Sequence, residues 1–305
     1  MQIGVYGEGV IDRFLSTDGF RDVIGGSALN CAVALASAGV TSFWCGRYSS
    51  DAEGLSLRDY AQMHGVASPR LHRGTEPASI VEVSIDAAGV PAYQFRLHGS
   101  VDWQWNESEL TQSFDGLSIL QISSLACVLP PAAGLLPQAI HRAKQQGALI
   151  SFDPNARPAA AASAAEADDM RAAIEKLVAL ADLVKVSDED LSWIREGENP
   201  SDVAAAWSSQ GPQLVVLTCG ADGARAYQHG KEVAIVPIHS LPVIDTVGAG
   251  DTFMAWLLRG IAQDHRGSIP TDVNAITTLL QQSAKAAAIT CSREGCVPPT
   301  RDEVI

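Results

Sequence analysis

The chain opens on a short apolar run over residues 2–6 that ends at Gly7 and predicts a buried strand. Residues 27–38 carry Leu29, Val33 and Ala36 at helical spacing and stop at Gly39, which predicts an Ala-rich helix. Residues 41–45 predict a second strand and 55–64 a second helix. Residues 78–86 and 90–97 alternate polar and apolar positions around Ala87-Ala88-Gly89, the pattern of a hairpin with one wet face. Beyond it, apolar runs at 117–122, 148–152, 183–186 and 214–218 alternate with helical patterns, among them the one through Ala172, Ile174, Leu177 and Val178. Repeated strand–helix units predict an α/β fold with a mostly parallel sheet covered on both faces. The hairpin interrupts that rhythm and reads as a small β flap inserted into the larger unit. Residues 159–165 read as a loop leading into a helix, and neither an internal repeat nor an interdomain linker is visible.

Residues 116–140 contain no Asp, Glu, Lys, Arg or His and are long enough to suggest a membrane helix. Pro130, Pro131 and Pro137 argue against one, so a buried strand, a loop and a helix start are expected there. The 305 residues include 21 Lys plus Arg against 35 Asp plus Glu, a net charge of −14. So acidic a chain is a poor partner for nucleic acid or an anionic membrane, because phosphates attract basic patches. Hydrophobic residues make up 47% of the chain, which excludes wholesale disorder. The six cysteines form no C-x-x-C pair, so zinc and thioredoxin-like spacings are absent. The first residues lack the basic and apolar regions of a signal peptide, and a cytoplasmic protein with reduced thiols is the expectation.

In parallel sheets ligands bind beyond the carboxyl ends of the strands, and each predicted strand here ends in polar or glycine-rich residues. The most informative run is Asp245-Thr246-Val247-Gly248-Ala249-Gly250-Asp251-Thr252-Phe253, whose second half opens a helix with Phe253, Trp256, Leu257 and Ile261 on one face. A glycine turn at a helix N-terminus offers free N–H groups to a phosphate, and Asp251 in that turn could take a proton from a hydroxyl. An ordinary turn capped by Asp251 would use the same residues. Gly25-Gly26-Ser27-Ala28-Leu29-Asn30 lets a ligand approach the backbone, with Asn30 in the first turns of the next helix. Gly7-Glu8-Gly9-Val10-Ile11-Asp12 follows the first strand as a turn. Asp12 stands where a dinucleotide fingerprint needs glycine, and it suits a polyol better than a pyrophosphate. Phe152-Asp153-Pro154-Asn155-Ala156-Arg157 and Thr218-Cys219-Gly220-Ala221-Asp222-Gly223 finish two more strands. Neither a P-loop nor a G-x-S-x-G elbow occurs.

Together these motifs resemble the pfkB, or ribokinase-like, carbohydrate kinases. The run 245–253 is similar to their C-terminal signature, Gly25-Gly26 with Asn30 to their N-terminal glycine motif, and Thr218-x-Gly220-x-x-Gly223 to their nucleotide motif. The resemblance implies a ribokinase-like three-layer α/β sandwich, one domain over 1–305, with a β lid inserted from about 13–23 and 78–98. It implies Asp251 as general base and Gly248, Ala249 and Gly250 as an anion hole. Asp12, Gly25, Gly26, Asn30, Phe95 and Arg157 would contact the sugar. Lys185, Ser187, Thr218, Gly220 and Gly223 would line the ATP site. Asp190 would serve magnesium, and Asp245 a monovalent cation such as potassium. The flap's apolar edge, Tyr93, Phe95 and Leu97, would permit a homodimer through the lid.

The chain departs from the family pattern at three places. N-x-x-E reads Ser187-Asp188-Glu189-Asp190, G-x-x-G-x-D reads Gly46-Arg47-Tyr48-Ser49-Ser50-Asp51, and the late G-A reads Gly295-Cys296. Within the family, the Gly7–Asp12 and Phe152–Arg157 segments look more like those of fructokinases and 2-keto-3-deoxygluconate kinases than of ribokinase or adenosine kinase. ATP-dependent phosphorylation of fructose is therefore the expected activity. The alternatives are another sugar or nucleoside of the same family, a non-catalytic sensor on this fold, and, from Gly7-x-Gly9, a dinucleotide-dependent oxidoreductase.

Overall fold

The computed structural model describes residues 1–16, 19–85, 91–97 and 99–305. The turn expected at Ala87-Ala88-Gly89, with Asp86 and Val90, lies outside them, as does the Tyr93 side chain. The strands are β1 (Ile3–Tyr6), β2 (Val10–Ser16), β3 (Gly19–Gly25), β4 (Ser42–Cys45), β5 (Arg47–Ser49), β6 (His72–Gly74), β7 (Ile80–Ile85), β8 (Pro91–Arg96), β9 (Ile119–Ser123), β10 (Leu149–Asp153), β11 (Leu183–Ser187), β12 (Leu214–Thr218), β13 (Ala224–Gln228) and β14 (Lys231–Val236). Eight of them form the central sheet in the order β14-β13-β12-β11-β10-β9-β1-β4, parallel from β12 to β4. β13 pairs antiparallel with β12, and the edge strand β14 antiparallel with β13; the strand–helix rhythm gave no sign of either.

Two helical layers cover this sheet. Helices α1 (Ser27–Ser37), α2 (Ala52–Met63), α8 (Ala249–Gln263) and α9 (Val273–Cys291) lie on one face. Helices α3 (Glu107–Phe114), α4 (Ala132–Gln145), α5 (Ala164–Leu180), α6 (Asp188–Ile194) and α7 (Pro200–Ser208) lie on the other. A short α10 (Arg301–Val304) packs its Val304 beside Trp256. The strands serve both layers by alternation. Ile3, Val5, Ile119, Leu183, Leu214 and Val216 enter the α1/α8 core, while Tyr6, Leu120, Ile122, Val184, Val186, Val215 and Leu217 enter the opposite one. Burial on both faces is why these strands read as continuous apolar runs.

The small sheet has four strands in the order β3-β2-β7-β8. The expected hairpin of β7 and β8 is there, and β2 pairs with β7 in parallel and with β3 in antiparallel register. This corrects the reading of Gly7–Asp12 as a turn, because Asp12 lies within β2 and Gly25 closes β3. Charged residues on both strands, among them Arg13, Arg21 and Asp22, hid them from an apolar-run search. A second correction concerns the lid's apolar edge. Leu97 is 3% exposed and Phe95 packs against the large core, whereas Leu15 and Phe20 are exposed on the lid.

Pro137, expected to interrupt a helix, sits inside α4. It removes one backbone hydrogen bond, while Leu136, Ala139, Ile140 and Ala143 on the buried side bring the core contacts that retain the helix. Among the described residues no helix is long and apolar enough to cross a membrane.

Candidate functional site

The N-termini of α1 and α8 meet at the carboxyl end of the central sheet. Gly248 caps α8 in a left-handed conformation, φ 76°. A Cβ there would collide with Cys296 Sγ. The first regular helical bond runs from Thr252 N to Gly248 O at 2.8 Å, so the amides of Gly250 and Asp251 precede the ladder and remain for another acceptor. Gly248, Ala249 and Gly250 thus stand at the positive end of the α8 dipole.

Asp251 is nearly buried, and both its oxygens are held. Ser27 Oγ donates to Oδ1 at 2.7 Å and Asn30 Nδ2 to Oδ2 at 2.9 Å. The two donors come from the first turn of α1, which Gly26 opens with φ 103°. A side chain at Gly26 would run into the Glu8 carbonyl and Gly9 Cα, so the second glycine of the pair is required by packing. Asn30 was expected to face the sugar; the structure shows one of its amide N–H donors spent on Asp251. Nothing local marks Ser27 as the partner of a carboxylate 224 residues away.

Asp12, Val81 and Phe95 are register neighbours across β2, β7 and β8, which puts them on one face of the lid. Gly25 stands beside Asp12, and a Cβ there would lie 2.8 Å from Asp12 Oδ2. Burial raises the Asp12 carboxyl to about 6, against the pull of the Arg157 guanidinium. Arg157 is exposed and donates to the Ala156 carbonyl at 2.9 Å. It therefore belongs electrostatically to the Asp12 side of the site. At the lid's base, Asp102 accepts from Gly9 N at 3.2 Å and from Ser79 Oγ at 2.6 Å. Burial holds its carboxyl at about 7. This clasp joins the segments entering β2 and β7 to the one leaving β8, and sequence patterning gave no hint of it.

Ser187 and Thr218 end neighbouring strands as register partners. The turn Gly220–Asp222 follows, and Gly223 takes φ 87° with no room for a Cβ beneath the Val236 carbonyl. This is an open backbone ledge suited to a nucleotide. Ser187 and Asp190 form a capping box on α6: Asp190 N donates to Ser187 Oγ at 2.9 Å and Ser187 N to Asp190 Oδ2 at 3.2 Å. The other Asp190 oxygen accepts from Ala156 N at 2.9 Å. Asp245 accepts from Val247 N and Gly295 N, both at 3.0 Å, which ties the glycine loop to the segment carrying Cys296. Among the described residues no three His, Cys, Asp or Glu side chains form a metal cage. Asp190 accepts only one backbone N–H on each oxygen and so keeps lone pairs for a divalent ion carried on nucleotide phosphates, which needs few protein ligands. Lys185 lies beneath α8, paired with Asp153 at 2.8 Å. Burial would push its ammonium down, but Asp153, Asp190 and Asp251 outweigh it and the lysine is raised.

The family model described as pfkB family carbohydrate kinase matches residues 4–303. A fructokinase of Rhizobium leguminosarum bv. trifolii is 31% identical over 265 residues, covering 85% of this chain and 79% of that protein. A fructokinase of Klebsiella pneumoniae is 28% identical over 308 residues, covering 99% and 98%. The crystal structure of a Xylella fastidiosa fructokinase with bound ATP superposes with a TM-score of 0.89 at 25% identity, covering 99% of this chain and 96% of that one.

Proposed function

The chain belongs to the pfkB family of carbohydrate kinases, and we propose on that premise that it transfers the γ-phosphoryl group of ATP to a hydroxyl of fructose. The observation that carries this reading is Asp251, a carboxylate fixed by Ser27 and Asn30 at the mouth of a helix whose Gly250 and Asp251 amides stand ahead of its hydrogen-bond ladder. In the reaction Asp251 takes the proton of the sugar hydroxyl. The freed oxygen forms a bond to the γ-phosphorus, the bond from that phosphorus to the bridging oxygen breaks, and ADP leaves. The Gly248–Gly250 turn receives the charge on the transferred group, so catalysis is mainly positioning and electrostatics.

In this reading Asp12, Gly25, Gly26, Asn30, Phe95 and Arg157 shape the sugar side, and Lys185, Ser187, Thr218, Gly220 and Gly223 the nucleotide side. Asp190 would serve a magnesium ion arriving on the nucleotide, and Asp245 a monovalent cation such as potassium. Magnesium supplies charge neutralisation of the phosphates. The whole chain acts as one domain, its lid drawn from 13–23 and 78–98, and it works in the cytoplasm. A homodimer through the lid would use the exposed Leu15 and Phe20. Fructose is favoured because curated relatives bearing that name cover nearly the whole chain.

A panel of fructose, 2-keto-3-deoxygluconate, ribose, tagatose and adenosine, assayed for ADP release with ATP and magnesium, tests the substrate. Fructose should have the highest kcat/KM. A better rate on another acceptor would keep the kinase and discard fructose, and silence on all five would contradict the kinase.

The lid carboxylate gives a pH dependence. Asp12 accepts sugar hydroxyls when ionised, and its folded carboxyl lies near 6, above its ordinary range. Protonation on going below about pH 6 removes an acceptor, so fructose KM should rise as pH falls through that value. In Asp12→Asn, fructose KM should be high and flat between about pH 5 and 8. Parallel pH curves for the two proteins would assign the effect elsewhere.

A further inference from the structure

Asp153 ends β10, and Lys185 lies on the next strand, β11, in the register set by Ser151 opposite Leu183. Their side chains are 2% and 6% exposed and meet at 2.8 Å. Among the described residues this is the one side-chain hydrogen bond that either makes, and Asp153 Oδ1 is buried with no partner at all. An ammonium has three N–H donors, so two remain on Lys185. They lie under the first turn of α8, where a Cβ on Gly250 would stand 3.1 Å from Nζ. The charges of Asp190 and Asp251 act on the same ammonium and help to keep it protonated. A buried ion pair contributes little net stability compared with an apolar pair of like volume. Its placement beneath the phosphate-binding turn calls for another explanation.

We propose that Asp153 is a positioning residue for phosphoryl transfer. It holds the Lys185 ammonium beneath the Gly250 turn, where the lysine's remaining N–H donors meet the negative charge that develops on the group in transit. This deepens the kinase reading and rests on it. Asp153 anchors one N–H of the lysine and so fixes the direction of the other two. Without it the ammonium is drawn towards Asp251 or Asp190, which weakens the anion hole and competes for the base. The charge therefore acts on the transition state more than on bound ATP.

The test compares Asp153→Asn, Lys185→Met and the double variant, each followed by thermal melting and by kcat and KM for ATP and fructose. Either single variant should lower kcat at least ~10-fold with both KM values within about threefold. Each single leaves a lone buried partner and should melt earlier. The double variant has no buried charge to satisfy, so its melting midpoint should return towards that of the parent protein while kcat stays low. Recovery of kcat in the double variant would reduce the pair to a structural role and overturn the proposal. A single variant with unchanged kcat, or with ATP KM alone affected, would overturn it too. An unmodified protein inactive on every sugar would instead contradict the kinase reading beneath it.

Discussion

Asp251→Asn is expected to lower kcat by ~10²–10⁴, the usual contribution of a general base, while KM for fructose and ATP stays within a few-fold. That loss corresponds to about 2.7–5.5 kcal/mol of barrier. The substitution is nearly isosteric. The new side-chain carbonyl could still accept from Ser27 Oγ, and the Asn30 amide can rotate to present its own carbonyl to the new N–H, so the α1–α8 junction should survive. What disappears is the acceptor for the hydroxyl proton. Steady-state kinetics with thermal melting as a folding control measures this directly. A variant with kcat near that of the parent protein would remove Asp251 from the chemistry. A large rise in both KM values with kcat intact would make it a binding residue.

Gly248→Ala should have the next largest effect. Gly248 combines a left-handed backbone with a Cβ direction blocked by Cys296 Sγ, and the Cys296 Cβ would itself lie 2.9 Å away. Alanine there brings ~1 kcal/mol or more of backbone strain together with a steric conflict. The turn relieves both by moving the Gly250 and Asp251 amides off the position of the transferred group. Loss of aim at such donors typically lowers kcat by ~10²–10³. Pairing Gly248→Ala with Cys296→Gly relieves the collision but not the strained backbone, and should recover part of the rate. Complete recovery would attribute everything to the thiol, and no recovery everything to the backbone.

The relation between this site and its sequence differs from residue to residue. The run from Asp245 to Phe253 is local. Its glycines, the acid in the first turn and the apolar face of α8 all fall within one helix start, so the pattern could be read directly. The Ser27–Asp251 bond joins helices 224 residues apart, and the Asp153–Lys185 pair spans 32 residues between neighbouring strands. Such partners become visible only once sheet order and register are known. The parallel strands were legible because both faces of each are buried. Strands β2 and β3 were not legible in the apolar pattern, because a lid exposed on one side tolerates Arg13, Arg21 and Asp22, and only the family resemblance placed lid strands there. The antiparallel β13 and β14 follow β12 without an intervening helix, which the strand–helix rhythm could not anticipate. Pro137 misled for the same reason: a local rule yielded to the burial of one helix face against the core.

The central claim is that this site moves a phosphoryl group from ATP to fructose and not to water. Phosphorus NMR of a reaction containing the protein, ATP, magnesium and fructose, read beside the ADP formed, tests it most directly. The account predicts one sugar phosphomonoester signal growing in step with ADP, absent without fructose and slowed ~10²–10⁴-fold in Asp251→Asn. ADP accompanied by inorganic phosphate alone, or a phosphomonoester formed equally well by the variant, would contradict it.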